Sequence, residues 1–321
     1  MNENNPYILV LGASIVDIFG FCGRSYAQRD SIPGHIKISF GGVCRNIAEN
    51  LARVGINTEF ISTLGDDENG KSILEHSRRF GYNMENSLFL KGESTPTYMA
   101  ILNHQGEMES AVVDMESLNK MDEAFIEGKH EVFANAEYTI VDSDNPVLLE
   151  YILKKYEGKS KFILDPVSAK KARKIRHLIK YFHTVKPNRF ETEALCGFKI
   201  ETDDDLKKAG RFFIEQGVKN AFISLDSDGI YYITSEGEEG TLACCESINV
   251  KNVTGAGDSF VAGIGYGYMN NLSIKDTLKY SMAMSIITIT HEETINPAMS
   301  NELVNDLINK IRNGDLESKN I

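Results

Sequence analysis

The sequence predicts an α/β fold, a doubly wound and mainly parallel sheet flanked by helices, with a small β-sheet lid. Three observations carry the architecture. Short apolar runs alternate with helical segments from about residue 137 onward, and the chain opens on an apolar run that ends in a glycine. Two stretches of polar-apolar alternation, at about 18–40 and 96–114, interrupt that pattern. Residues 1–321 are therefore expected to form a single domain, with the lid strands inserted at those two places.

Residues 7–12, Tyr-Ile-Leu-Val-Leu-Gly, suit a buried strand. A polar, turn-rich passage follows Asp17, and then 35–40 alternates as a strand with one wet face. A helix at 46–54, a strand at 58–63 and a helix at 69–80 lead to a second exposed strand at 97–102, a turn at Gly106 and another strand at 110–113. Two such groups of exposed strands projecting from an α/β body read as a lid. From 138 the order becomes strand 138–141, helix 146–156, strand 162–164, strand 183–185, helices 190–195 and 204–215, and strand 221–225. Alternation of this kind implies right-handed crossovers and a ligand at the carboxyl ends of the strands. Asp17, Asp165, Asn188, Glu191 and Asp226 fall at or after those ends. The apolar stretch 281–290 is too short for a membrane and reads as a buried helix, while the tail after Asn313 is expected to fray.

Composition narrows the function. A formal charge of −12, from 34 basic and 46 acidic residues, argues against general binding to nucleic acid or to an anionic membrane. The N-terminus has no basic-then-apolar leader, and no apolar run reaches the roughly 18 residues of a membrane helix. Five cysteines without metal-binding spacing fit a reducing cytoplasm, and Cys244-Cys245 reads as part of a strand. None of the seven histidines sits in a nucleophile setting, and His35, His104, His183 and His291 read as surface or core.

Three segments could carry chemistry. The stretch 252–263, Asn-Val-Thr-Gly-Ala-Gly-Asp-Ser-Phe-Val-Ala-Gly, is a glycine-rich turn running into a helix, and the free amides of a first turn favour an anion. Asp258 there is either a helix cap or a carboxylate wanted for chemistry. In Gly41-Gly42-Val43-Cys44-Arg45-Asn46 the glycines admit a small ligand, and Asn46 can both donate to and accept from sugar hydroxyls, as Asp17 could accept from two. Arg45 is read as a surface charge in preference to a phosphate ligand. In Lys186-Pro187-Asn188-Arg189-Phe190-Glu191, Asn188 and Glu191 are either a capping box or an amide and carboxylate that help hold magnesium. Taken alone, the capping box is the better reading.

In order and spacing, Gly41-Gly42-x-x-x-Asn46, Lys186-Pro187-Asn188-x-x-Glu191 and Thr254-Gly255-Ala256-Gly257-Asp258 resemble the motifs of the ribokinase-like (PfkB) carbohydrate kinases, over about residues 7–297. The resemblance implies an ATP-dependent phosphotransferase acting on an alcohol, with magnesium as cofactor and K+ as a monovalent cation the family can use. Asp258 would be the base, and the Gly255, Ala256 and Gly257 amides the anion hole. Asp17, Gly41, Gly42 and Asn46 would hold the sugar. Asn188, Glu191, Ser224, Gly229 and Thr254 would face ATP, with Glu191 and Asn188 on magnesium through water. The fuller strings at 41–53, 165–169 and 252–258 resemble the family members that act on pseudouridine, so a 5′-hydroxyl of that ribosyl substrate is the expected acceptor. Ribose and other nucleosides are the alternatives within the family, and a non-catalytic sugar or nucleotide sensor is the alternative outside it. The lid could pair across a homodimer. Four positions depart from the family's pattern: Ile15 where many relatives carry Asn, Cys44 where a smaller residue is usual, Asp226 for Gly, and Asn252 for the Asp that ribokinases often carry.

Overall fold

A computed structural model describes residues 5–244 and 248–312. Cys245 and the charged tail after Asn313 lie outside them. The N-terminal apolar run becomes strand β1 (Ile8–Leu11), buried throughout. After a bend come β2 (Ile15–Cys22), β3 (Gly34–Gly41), helix α1 (Val43–Arg53), β4 (Thr58–Ile61), β5 (Thr63–Gly65) and α2 (Glu68–Phe80). Next are β6 (Leu88–Leu90), β7 (Thr97–Leu102), β8 (Met108–Asp114), a 3₁₀ turn at Glu116–Lys120, and the short helices α3 (Glu123–Glu127) and α4 (His130–Ala134).

The alternating half contains β9 (Tyr138–Val141), α5 (Pro146–Lys155), β10 (Phe162–Leu164), α6 (Ala169–Lys174), β11 (Thr184–Val185), α7 (Arg189–Cys196), α8 (Asp203–Glu215) and β12 (Asn220–Ser224). The chain finishes with β13 (Ile230–Thr234), β14 (Glu239–Leu242), α9 (Ala256–Met269), α10 (Ile274–Ile289) and α11 (Asn301–Arg312). The expected buried helix at 281–290 is thus the second half of α10, and Ser281, Ala283, Met284, Ile286, Ile287 and Thr288 are buried in it.

Eight strands form the main sheet in the order β14-β13-β12-β11-β10-β9-β1-β4. Its pairs are parallel from β12 to β4, and only β13 and β14 run antiparallel at one edge. Apolar side chains cover both faces, as a sheet sandwiched between helix layers requires. One layer packs α5 to α8 against Leu9, Val141 and Leu164, and the other packs α1, α9 and α10 against Ile8, Val10 and Ile140. Every parallel strand consequently ends at the same edge, where the chain turns into loops and helix starts.

A second sheet, in the order β3-β2-β7-β8, stands over that edge. Residues 15–22, read from sequence as mostly turn, are a full strand of it. Sequence alternation there is blurred because, beyond the buried Val16, the residues from Asp17 to Cys22 are half-buried on both faces. Register puts Ile18, Ile38, Met99 and Val112 in one cross-strand row on the face opposite Asp17. That row is exposed in Ile38, Met99 and Val112, with Ile36 beside it.

Candidate active site

Strand ends and one helix start build the site. Gly255 takes φ +84 as the N-cap of α9, so Ala256, Gly257 and Asp258 fill the first helical turn. A side chain at Gly255 would strike the Thr294 carbonyl, which ties the turn to the loop after α10. The Ala256 amide makes a long hydrogen bond to the Val253 carbonyl, 3.3 Å, which makes it the weakest of the three expected anion donors. Asp258 is 9% exposed, and its Oδ2 accepts a 2.7 Å hydrogen bond from Asn46 Nδ2, 212 residues away in the chain. The structure therefore brings Asp258 and the Gly-Gly motif together, and the carboxylate is held across the site by another helix.

Asn46 is itself fixed. Arg45 Nη1 donates to its Oδ1 at 3.1 Å, which orients the amide so that Nδ2 points at Asp258. The reading of Arg45 as a surface charge is wrong: the residue is 4% exposed. Its guanidinium pairs with Glu49 one turn along α1 and donates to the Phe40 carbonyl, and Glu49 is also held by Arg53 at 2.7 Å. A charge buried this deeply persists because both an ion and a carbonyl meet it. Gly42, the N-cap of α1 at φ +101, sits against the Ala13 carbonyl with no room for a Cβ. Gly41 is likewise pressed on the Asp17 carboxylate of the neighbouring strand. Burial raises the Asp17 carboxyl above its ordinary value, and the charge of Arg45 opposes it.

Two more residues complete the centre: Asp165, expected as one of the strand-end polar residues, and Lys186, to which the sequence reading gave no role. Lys186, at the end of β11, lies 3.4 Å from Asp165 at the end of β10. A Cβ on Gly257 would come within 2.8 Å of its Nζ, so the ammonium stands against the first turn of α9. Burial works against the Lys186 charge, yet Asp165, Glu191 and Asp258 together hold its pKa above the usual lysine value. Asp258 is pushed up to about 7, first by burial and then by the charge of Asp165, while Asn46, Lys186 and Arg45 pull the other way. The Lys-Pro-Asn string contained Lys186, but a lone lysine in a loop gives no sign of being buried beside three carboxylates. The backbone after β10 bends sharply, with Val167 at φ 64 and its amide on Asp165 Oδ1. Such a conformation is strained for a β-branched side chain.

Asn188 and Glu191 do form a capping box at the start of α7, with Asn188 Oδ1 accepting from the Glu191 amide at 2.9 Å and Glu191 Oε2 from the Asn188 amide at 2.8 Å. Capping engages one oxygen of Glu191, and Oε1 remains for another role. Glu191 is 5% exposed, and burial followed by the charge of Asp165 raises its pKa. Asn188 bridges to Ser224 across β11 and β12, which joins Ser224 to this group. Among the described residues no cluster of three or more His, Cys, Asp or Glu is arranged to hold a metal. One buried carboxylate with an adjacent amide instead fits a magnesium ion that keeps its waters and takes further oxygens from phosphates. Gly229 and Thr254 engage other partners. Gly229, at φ +95, packs on the Leu242 carbonyl, and the exposed Thr254 donates its amide to Asn252.

Three of the four departures find local explanations. Asp226 is exposed at φ 53, a conformation that suits glycine, so its carboxylate stands in solvent on the turn after β12. Cys44 is buried, donates to the Leu11 carbonyl at 3.2 Å, and fills the space left by the missing side chain of Gly12. Asn252 spans its turn, donating to the Glu292 carbonyl at 2.9 Å and accepting from the Thr254 amide at 3.0 Å. His183 is half-buried in a ring cluster with Tyr138 and Tyr268, and burial lowers its pKa to about 4.

Residues 5–301 match the family model described as "pfkB family carbohydrate kinase". The chain belongs to the PfkB family of carbohydrate kinases. It is a phosphotransferase with an alcohol group as acceptor and binds ATP, and ribokinase-like kinases use ATP together with Mg2+. It is 32% identical to a pseudouridine kinase of Escherichia coli strain K12 over 93% of this chain and 95% of that one. A putative sugar kinase from Clostridium perfringens is similar in structure, with a TM-score of 0.92 and 57% identity over 96% of this chain and 97% of that one. An Arabidopsis thaliana ribokinase solved with ribose and ATP superposes with a TM-score of 0.81 at 21% identity, covering 95% and 99% of the two chains, and so shares the ribokinase-like fold. Among the described residues no helix is long and apolar enough to cross a membrane.

Proposed function

We propose that this kinase transfers the γ-phosphoryl group of ATP to the 5′-hydroxyl of pseudouridine, giving pseudouridine 5′-phosphate. The observation that carries the reading is the Asn46–Asp258 hydrogen bond, which joins the sugar-facing motif to the acid at the start of α9. Asp17, Gly42 and Asn46 hold the ribose hydroxyls, and Asp258 takes the proton of the attacking one. A pKa of about 7 suits that task, since a base is most effective when its pKa lies near the working pH. The Gly255 and Gly257 amides, with the helix dipole and the Lys186 ammonium, stabilise the charge on the transferring group. Magnesium, when bound with ATP near Glu191 and Asn188, supplies further charge neutralisation.

Likeness to the E. coli enzyme supports pseudouridine over other ribosyl acceptors. The small sheet over the strand ends would act as a lid, and its exposed row of Ile38, Met99 and Val112 would meet a second copy of the chain. A coupled ADP-release assay with pseudouridine, uridine, ribose and fructose offered separately tests the substrate. Pseudouridine should give the highest kcat/KM, and its product should show phosphorus coupled to the two 5′ protons. Faster turnover of ribose, or phosphate on another hydroxyl, would refute the reading.

A further inference from the structure

Helix α1 carries Arg45, Glu49 and Arg53 four residues apart, a spacing that lines three charges along one face. On most helices such a stripe is solvated. Here it is shut away: Glu49 is 2% exposed and Arg45 4%, and the guanidinium of Arg53 stands 4.1 Å over the ring of Phe80. His76 Nδ1 lies 3.7 Å from Glu49 Oε2 and 3.3 Å from the Tyr82 hydroxyl. Burial lowers the His76 pKa to about 4, so that ring is neutral and the two arginines supply the charge that meets the carboxylate.

Each oxygen of Glu49 serves one arginine. Oε2 pairs with Arg45 Nη2, while Oε1 accepts from Arg53 Nε at 2.8 Å and lies 2.7 Å from its Nη2. The arginines in turn reach opposite sides of the site. Arg45 Nη1 donates to the carbonyl of Phe40, where β3 of the small sheet joins α1, and to Asn46 Oδ1, and Asn46 Nδ2 donates to Asp258. Arg53 Nη1 donates at 2.8 Å to the Pro297 carbonyl in the loop after α10, the loop whose Thr294 carbonyl backs Gly255. One carboxylate therefore stands at the junction of the lid hinge, the acid and the turn that carries the anion donors.

Stability does not account for this arrangement. Ions taken out of water gain little over apolar side chains of similar size, because desolvation offsets their attraction. What the ions add is direction. A guanidinium is planar, so pinning Nη2 on Glu49 also fixes where Nη1 points. We infer that Glu49 is a positioning residue for phosphoryl transfer, acting through Arg45 to keep the Asn46 amide turned toward Asp258. The inference rests on Asp258 acting as the base.

The test compares the wild type, Glu49→Gln, the double variant Arg45→Met with Glu49→Met, and Asp258→Asn. Each is followed by thermal melting and by kcat, KM and pH profile, on whichever of pseudouridine and ribose the wild type turns over faster. Glu49→Gln leaves two buried guanidinium groups on a neutral amide and should melt lower. The double variant removes one cation and one anion together, leaves Arg53 with Pro297 and Phe80, and should melt within a few degrees of the wild type. In both, kcat should fall about tenfold or more while KM for ATP changes by less than about twofold. Asp165, Lys186, Arg45 and Asn46 act on the Asp258 carboxyl, and the last three pull its pKa down. In the double variant the acid limb of kcat/KM should therefore move up from about 7. If the triad only supports the fold, the double variant keeps the wild-type kcat and acid limb. That result, with Asp258→Asn still slow, would overturn the inference and leave the functional reading intact. Full turnover in Asp258→Asn overturns the reading of the base, and this inference with it.

Discussion

Replacing Asp258 with Asn should slow the enzyme and stabilise it. In the folded protein the carboxyl has a pKa of about 7 against an ordinary 3.8, because it is buried and faces Asp165. Between those two values the native state keeps a proton that the unfolded chain has lost. Stability therefore falls as pH rises through that window and levels off above about 7. At 1.36 kcal/mol per pKa unit, the ionised carboxylate costs up to roughly 4 kcal/mol at pH 8 and about 2 kcal/mol less at pH 5.5. Asn keeps the shape and carries no charge. Calorimetric melting of Asp258→Asn should show a higher Tm than wild type, with the gain larger at pH 8 than at pH 5.5. In the same variant kcat should fall by about 10² or more with ATP affinity nearly unchanged. A capping carboxylate predicts the opposite sign, since losing it from a first turn costs about 0.3–1 kcal/mol. A lower Tm at pH 8 with unchanged turnover would refute the role given to Asp258.

Lys186→Met removes the cation facing Asp258, so the acid limb of the kcat/KM against pH profile should move up from about 7 by roughly one unit, with kcat lowered about tenfold or more. Arg45→Met deprives Asn46 of the donor that orients it and leaves the buried Glu49 with Arg53 and the His76 ring. Stability should fall by about 3 kcal/mol in denaturant titration, and kcat should fall with it. Gly255→Ala forces a side chain at φ +84 into the Thr294 carbonyl and should cost about 2 kcal/mol or more in a thermal melt. Ile38→Asp on the exposed face of the small sheet should lower the sedimentation coefficient to that of one chain, whereas an unchanged value would remove this face from the proposed assembly.

Much of the fold was legible because parallel strands buried on both faces leave unbroken apolar runs, as at 8–11 and 221–223. Strand β2 was missed where half-burial on both faces blurs the alternation. Within the site, glycines and acids could be found by spacing, since the backbone geometry they serve is local. The fate of Arg45 was not legible: the i,i+4 pair with Glu49 is visible in the sequence, but such pairs are usually solvated. Here the Phe40 carbonyl of β3 and the Tyr82 side chain after α2 meet the guanidinium out of solvent. Lys186 and its pairing with Asp165 were missed for a related reason. Their surroundings come from neighbouring strands that are distant in sequence, so no local pattern marks them. Asn188 and Glu191 show the converse, since the capping reading was right and does not exclude a second role for the free oxygen of Glu191.

The central claim is most directly tested by internal competition. Equimolar pseudouridine and ribose are offered to the wild-type enzyme with limiting ATP and Mg2+, and the two phosphorylated products are quantified by mass spectrometry. Their ratio equals the ratio of the two kcat/KM values. Pseudouridine 5′-phosphate in at least tenfold excess is the predicted result, and a product pool dominated by ribose phosphate would contradict it.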